Sequence, residues 1–503
     1  MGILDTFAAV RRIDNHRPWP RAVVGKDDWL RARVQLAGGQ WDLVALWGEP
    51  QAVHMTVRDV SDGDVAVLTF ECIDGRYPSI AQSHSPALRL ERAARDLFGL
   101  EPEGLPDARP WLDHGRWNVT HPLGRAETVS PDLRPYAFLP AEGESLHKIG
   151  VGPVHAGIIE PGFFQFTANG ETIVRLEERL GYVHKGIEGL MQGADLDRGI
   201  RLAGRTSGDS TVAYAYGFAR AAEAALGVEP PPRAIWLRAL MAELERIANH
   251  FGDFGAICND AALAIMLAQC AVVRERVLRT SASCFGHRMM RDRIVVGGVD
   301  ADLDGKGAAA ISGLMTEIAK RLPRLTELYD KTASLQDRTV GTGLLGPELA
   351  RQYACGGFVG RASGRAFDAR KALAYPPYDQ LTFDVPVLED GDVNARVWIR
   401  IREIGQSISI IRQILDRMPE GDCRDFVKPA AGSCEGAAVV EGFRGDIFVW
   451  LRIGADGTIA RCHLRDPSWF QWPLLEAAIE GNIVADFPLC NKSFNCSYSG
   501  HDL

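Results

Sequence analysis

From Pro232 onward, apolar residues recur at Trp236, Leu240, Leu244, Ile247, Phe251 and Phe254. Their spacings of three and four line one face of a long amphipathic helix, and proline is tolerated in a first helical turn. A stripe of that length is stable only when covered, and three further periodic segments supply the cover. They run over 261–284, over 306–338 through Leu314, Ile318, Leu322 and Leu325, and over 401–417 through Ile404, Ile408, Ile411 and Leu415. A helical bundle is expected. Near the C-terminus the runs 446–451 and 458–464 flank Gly454-Ala455-Asp456-Gly457 and predict a β-hairpin, with a last helix over about 471–480.

The N-terminal part reads differently. From about 28 to 115, short β-branched and aromatic runs, Trp41 to Trp47 and Val65 to Phe70, alternate with Gly, Pro and Asp turns. Leu88, Leu90, Ala93, Ala94, Leu97 and Phe98 then fall on one helical face. Over 117–147 the periodicity fades and Pro, Gly, Glu and Asp dominate, as in a linker. The expected fold class is α+β: a small α+β domain over 1–116, a linker over 117–147, and a mainly helical domain with a C-terminal β-hairpin over 148–503.

Composition narrows the function classes. The 503 residues, 46% hydrophobic and 24% charged, suit two or three globular domains. The net charge of −9 comes from dispersed acids, which argues against a nucleic-acid or anionic-membrane partner. The N-terminus, MGILDTFAAVRRIDNH, meets charge too early for a secretory signal, so export is not expected. The longest nearly apolar run, 261–273, falls short of the about 20 residues that span a bilayer, so membrane association is expected through partners. Ten cysteines without a Cys-x-x-Cys pair predict reduced thiols, with Cys258, Cys270 and Cys284 as core residues. No glycine-rich nucleotide loop opens a βαβ unit, so the chain itself is not expected to bind NAD.

The segment Glu91-Arg92-Ala93-Ala94-Arg95-Asp96-Leu97-Phe98-Gly99, with Pro106-Asp107-Ala108-Arg109 behind it, resembles the signature of the C-type subunit of bacterial NADH-quinone oxidoreductase. In order, there follow Gly152-Pro153-Val154-His155-Ala156-Gly157, the run from Arg175 to Glu188, Glu243-Leu244-Glu245-Arg246-Ile247-Ala248-Asn249-His250, Arg293 to Gly298, and Arg465-Asp466-Pro467-Ser468. These resemble the D-type subunit of the same enzyme and, more closely, the large subunit of formate-hydrogenlyase-type hydrogenases. The resemblance covers nearly the whole chain. It implies a fused C/D-like subunit of the family shared by respiratory complex I and membrane-bound energy-converting hydrogenases.

A nickel–iron member of that family carries Arg-x-Cys-Gly-x-Cys early and Asp-Pro-Cys-x-x-Cys late, because soft thiolates hold the two metals. Here Arg205-Thr206-Ser207-Gly208-Asp209-Ser210 and Asn495-Cys496-Ser497-Tyr498-Ser499-Gly500 put Ser207, Ser210, Ser497 and Gly500 at the four ligand positions. No metal site is expected. Cys490 and Cys496 lack a second pair and are expected to be structural. The final His501-Asp502-Leu503 shows no obvious cleavable extension of the kind that follows metal insertion. The quinone contacts implied by complex I are also incomplete: Gly208 falls at the tyrosine position, and Ile159 replaces the second family histidine beside His155.

What the resemblance leaves facing the old cavity is His184, Glu188, Arg205 and Asp209, the candidates for proton relay. Glu188 matches the hydrogenase glutamate that passes protons, a task suited to a partly buried carboxyl with a raised pKa. A structural alternative stands beside each. Glu177, Glu178, Arg179, Lys185 and Glu188 have the spacing of a charged helix face, His184 on that helix fits a core histidine, and Arg205 and Asp209 are one helical turn apart. His155 and His250, the latter closing its motif-bearing helix, are weaker candidates for contact with a quinone or a partner's iron–sulfur cluster.

The implied setting is the cytoplasmic side of the inner membrane, in the peripheral arm of an ion-translocating oxidoreductase. The implied partners are an iron–sulfur small subunit like the B-type subunit of complex I, together with antiporter-like membrane proteins and a membrane protein like the H-type subunit. No cofactor is expected on this chain alone; the iron–sulfur cluster belongs to the partner, and quinone is the candidate substrate. A non-catalytic scaffold, a quinone-reducing subunit and a hydrogenase with rearranged ligands are the competing functions.

Overall fold

The helix that opens at Pro232 runs to Asp260 and buries Trp236, Leu240, Leu244, Ile247, Phe251 and Phe254. The computed structural model describes residues 2–7, 10–132, 134–155, 159–428 and 432–503. Helices Ala264–Phe285 and Val393–Arg417 cover the stripe, and Gly305–Lys331 packs on both of them and reaches Phe254 through Tyr329. Two of them start on aspartate caps, which satisfy amide groups that have no partner inside the helix. Asp304 accepts from the Gly307 amide at 2.7 Å, and Asp392 from that of Ala395 at 2.7 Å. Among the described residues no helix is long and apolar enough to cross a membrane.

The predicted hairpin is present as Gly445–Ile453 paired antiparallel with Ile459–Arg465. It belongs to a larger sheet. Cys434–Gly442 pairs antiparallel with the first hairpin strand, and the short strand His16–Arg17 adds in parallel beyond it. Cys434–Gly442 shows no polar alternation because all but one of its residues are buried. Helix Thr211–Leu226 lies across it so closely that a Cβ on Gly436 would meet the Ala221 carbonyl at 2.0 Å. The last predicted helix is Ser468–Ala478, and two unpredicted short helices follow, Phe487–Phe494 and Tyr498–Asp502.

At the N-terminus a five-stranded sheet runs in the order Arg11–Ile13, Arg21–Val23, Val65–Glu71, Ala52–Asp59, Trp41–Glu49. Helices Lys26–Ala37 and Leu88–Phe98 pack on it, the second ending at Gly99, whose φ of 73° favours glycine. This unit is joined to the C-terminal sheet by more than one strand. Trp47 stacks on His463 with rings 5.2 Å apart, Arg452 binds Glu49 at 2.6 Å and Glu435 at 2.7 Å, and Glu435 also pairs with Arg21.

Residues 117–147 contain one two-residue strand pair, Val119–Thr120 with Glu127–Thr128, before a three-stranded sheet begins at Leu146. That sheet, Leu146–Val151, Phe163–Asn169 and Thr172–Arg179, corrects one sequence expectation. Glu177, Glu178 and Arg179 lie on a strand, not on a helix face; the chain then turns at Gly181 (φ 93°), and helix begins only at Ile187. Thr172, Ile173 and Leu176 pair with the strand that carries Phe163, Phe164 and Phe166, which outweighs the helical spacing of the charges.

Candidate functional site

The two motif halves expected to meet do meet. Segment 205–210 leads into helix Thr211–Leu226, and segment 495–500 leads into the last short helix. Ser207 Oγ and Ser497 Oγ lie 2.8 Å apart, both side chains buried. Ser497 Oγ accepts from the Gly500 amide at 2.9 Å, and Ser207 Oγ donates to Asp209 Oδ1 at 2.9 Å. Asp209 is gripped by Arg444, with Nη1 to Oδ1 at 2.6 Å and Nη2 to Oδ2 at 2.5 Å. Burial pushes the Asp209 carboxyl up, but Arg444 outweighs it and holds the group below the usual carboxylate range. A continuous donor–acceptor line therefore runs from the Gly500 amide through two hydroxyls to an ionised aspartate.

The remaining predicted residues scatter around this line. Arg205 does not pair with Asp209 across a turn; it makes a two-toothed ion pair with Asp292, at 2.5 and 2.7 Å, and lines a surface cleft of about 380 Å³ with Arg201, Arg293 and Arg424. His184 stands in an irregular segment rather than on a helix, its Nδ1 2.7 Å from the Asp502 carbonyl and its ring against Trp117. His155 Nε2 faces the Gly162 carbonyl at 2.8 Å; Ala156 and Gly157 of its motif lie outside the described residues. His250 lies inside helix Pro232–Asp260 rather than closing it, fully buried, with Nε2 2.7 Å from Glu403 Oε2.

Glu188 departs furthest from expectation. It is buried, with Oε1 2.7 Å from His463 Nδ1 and Oε2 2.8 Å from an Arg461 nitrogen. Burial alone pushes its carboxyl up, yet Arg461 and His463 prevail and bring it down to about 2. A carboxylate so held is ionised near neutral pH and has no proton to donate there. The property expected of Glu188 belongs instead to Glu245 of the same motif-bearing helix as His250, whose burial raises it to about 8 although its oxygens accept from the Val212 and Ala213 amides at 2.8 and 3.1 Å. Asn249, one turn further, donates to the Asp209 carbonyl at 2.8 Å and ties that helix to the serine line.

Residues 43–131 match the family described as the respiratory-chain NADH dehydrogenase 30 Kd subunit, and residues 261–431 its 49 Kd subunit. Formate hydrogenlyase subunit 5 of Escherichia coli is 30% identical, over 85% of this chain and 77% of that protein. The C/D subunit of NADH-quinone oxidoreductase from Bacteroides thetaiotaomicron is 30% identical, over 81% of this chain and 82% of that one. The chain belongs to the complex I 30-kDa and 49-kDa subunit family, in the fused C/D-like form. A solved structure of the membrane-bound sulfane sulfur reductase, an archaeal respiratory membrane complex, matches with a TM-score of 0.67 and 25% identity, over 72% of this chain and 99% of that one.

The donor set of this C/D-like chain does not fit the nickel–iron centre that the hydrogenase resemblance implies. Ser207, Ser210 and Ser497 offer hard, protonated hydroxyls already hydrogen-bonded to Asp209 or to each other. At Gly500 a Cβ would stand 2.4 Å from Asp466 Oδ2, and Asp466 is itself held by the Tyr214 hydroxyl at 2.6 Å and the Ser468 amide at 2.8 Å. The fourth ligand position is thus filled by a neighbouring carboxylate. Cys490 and Cys496 are buried thiols raised by that burial.

Sequence reasoning missed Arg444, Asp466 and Tyr214, which close the site, and Asp502, which accepts from the Gly181 and Val183 amides at 2.8 and 3.0 Å. Asp466 was visible inside the motif Arg465-Asp466-Pro467-Ser468. Arg444 carried no local signal, because its partner Asp209 is 235 residues away.

Proposed function

We propose that this chain is the peripheral-arm subunit of a membrane-bound, ion-translocating oxidoreductase, forming a proton-handling cavity beside a partner's iron–sulfur cluster and holding no nickel–iron centre of its own. The observation that carries this is the Ser497–Ser207–Asp209–Arg444 line at the former ligand positions. Two hydroxyls in series can pass a proton by rotating, and Asp209, kept ionised by Arg444, accepts it. Glu245, neutral at pH 7, stands ready on the adjoining helix as the donor that Glu188 is not. An iron–sulfur small subunit supplies the cluster, antiporter-like and H-type membrane proteins supply the membrane part, and quinone is the candidate electron acceptor.

Elemental analysis of the purified chain, alone and with its copurifying partners, tests the metal half: the expected result is no nickel, with iron only when the small subunit is present. Stoichiometric nickel would overturn it. Asp209→Asn tests the cavity half. A chain that serves merely as scaffold would leave redox turnover of the assembled complex unchanged, whereas a working line predicts a loss of about 10²-fold or more, typical of removing a general acid–base group.

A further inference from the structure

At the seam between the N-terminal unit and the rest of the chain, two carboxylates share one guanidinium. Arg89, on helix Leu88–Phe98, donates to Glu178 Oε2 at 3.1 Å and pairs with Glu476 Oε2 at 2.7 Å. Glu178 is the last-but-one residue of strand Thr172–Arg179, and Glu476 belongs to helix Ser468–Ala478. The Glu178 amide also donates to Glu476 Oε1 at 2.7 Å, which fixes the two acids side by side. Glu178 is 1% exposed, and its Oε1 has no hydrogen-bond partner among the described residues.

Fully ionised, this trio is one negative charge in excess and leaves a buried anionic oxygen without a donor. Both conditions are costly: like charges at one site resist joint ionisation, and an unpaired buried anion costs more than an unpaired neutral hydroxyl. One proton on the pair relieves both. It leaves a neutral carboxylic acid beside a balanced Arg89–carboxylate pair.

We propose that Glu178 and Glu476 hold a single shared proton beneath Arg89, making this trio a proton-storage site at the junction of the N-terminal unit with the strand and helix that flank the candidate site. The other titratable groups facing it do not supply the missing charge. Glu177 is engaged by Arg109 at 2.5 Å, burial keeps Tyr353, Tyr498 and Cys496 protonated, and burial keeps His501 neutral. Burial likewise pushes both carboxyls of the pair above the usual range, and for Glu178 the neighbouring Glu476 adds to it. The ligand is a proton exchanged with water: one O–H bond breaks as one forms, and no oxidant or reductant enters. The site stands independently of any role for the serine line.

Infrared difference spectroscopy on the complex across a pH titration reads this directly. The expected result is a protonated-carboxyl C=O band in the wild-type-minus-variant difference spectrum at neutral pH, seen with both Glu178→Gln and Glu476→Gln and fading as pH rises, whereas the Glu245 band cancels in that difference. Each variant replaces one acid by a neutral amide, so proton uptake on folding at pH 7 should drop by about one proton. Thermal melting adds a second readout: Glu178→Gln, which keeps the Glu245 contribution, should lose less stability than wild type through the alkaline titration. If neither difference spectrum shows such a band, or if band and melting profile are the same in both variants as in wild type, the shared proton is absent. If neither variant folds, Arg89→Lys, which keeps one positive charge beside the pair, should shift the band and its titration midpoint, and an unshifted spectrum would overturn the proposal.

Discussion

Glu188 and Glu245 show how little the residue type says about a buried carboxyl. Both are buried glutamates in family motifs, but Glu188 faces an arginine and a histidine, whereas Glu245 faces two backbone amides. Charged partners hold one down to about 2, and amide donors leave the other, desolvated, up at about 8. The sequence contained both residues and neither environment. Two outcomes follow with opposite signs. Because the folded pKa of Glu188 is below the unfolded value, its stabilisation is present above about pH 4.5 and is lost as pH falls toward 2. Glu188→Gln, which strands Arg461, should therefore cost about 3–5 kcal/mol at pH 7 in denaturant melts, with the gap to wild type narrowing in acid. Glu245 is raised, so its contribution is complete below its unfolded pKa and disappears as pH climbs through about 8. Redox turnover of the complex should fall through the same range, and Glu245→Gln should be slow at every pH, without that alkaline limb. A variant that keeps the wild-type profile would remove Glu245 from the relay.

At the scale of elements, the periodic features and the local hairpin were legible and the long-range pairings were not. The stripe from Trp236 to Phe254 identified its helix because six side chains at helical spacing share one burial requirement. The strand Cys434–Gly442 was invisible because burial on both faces erases alternation, and the short parallel strand His16–Arg17 has too few residues to carry a period. Yet this pairing, with Glu435 set between Arg21 and Arg452, ties the N-terminal unit to the C-terminal sheet. Removing the shared carboxylate leaves two arginines without their central partner. Glu435→Ala should cost about 3–5 kcal/mol, and hydrogen exchange should quicken at residues 16–17 and 435–436 before it does in the helical bundle. Uniform quickening across both regions would mean that the seam is not a separate point of weakness.

For the whole molecule, the question is whether Ser207, Ser210, Ser497 and Gly500 are simple replacements within a thiolate pocket or parts of a site built differently around them. Were only the ligands missing, restoring four cysteines would restore a thiolate pocket. The surroundings argue otherwise: Asp466 fills the space beside Gly500 under the hold of Tyr214 and Ser468, and Asp209 and Arg444 form an ion pair next to Ser207 and Ser210. A Cβ at position 500 would meet the Asp466 carboxylate at 2.4 Å, well inside contact distance, and the two fixed hydrogen bonds keep that carboxylate from swinging aside. The chain carrying Ser207→Cys, Ser210→Cys, Ser497→Cys and Gly500→Cys together should therefore be less stable than wild type and, titrated with cobalt(II), should not develop the absorption of a four-thiolate site. Adding Asp466→Ala frees the space beside position 500 and should let that absorption appear. Cobalt binding by the four-cysteine chain without the Asp466 change would show that the old pocket survives intact, and that the serine line is a substitution within it rather than a new construction.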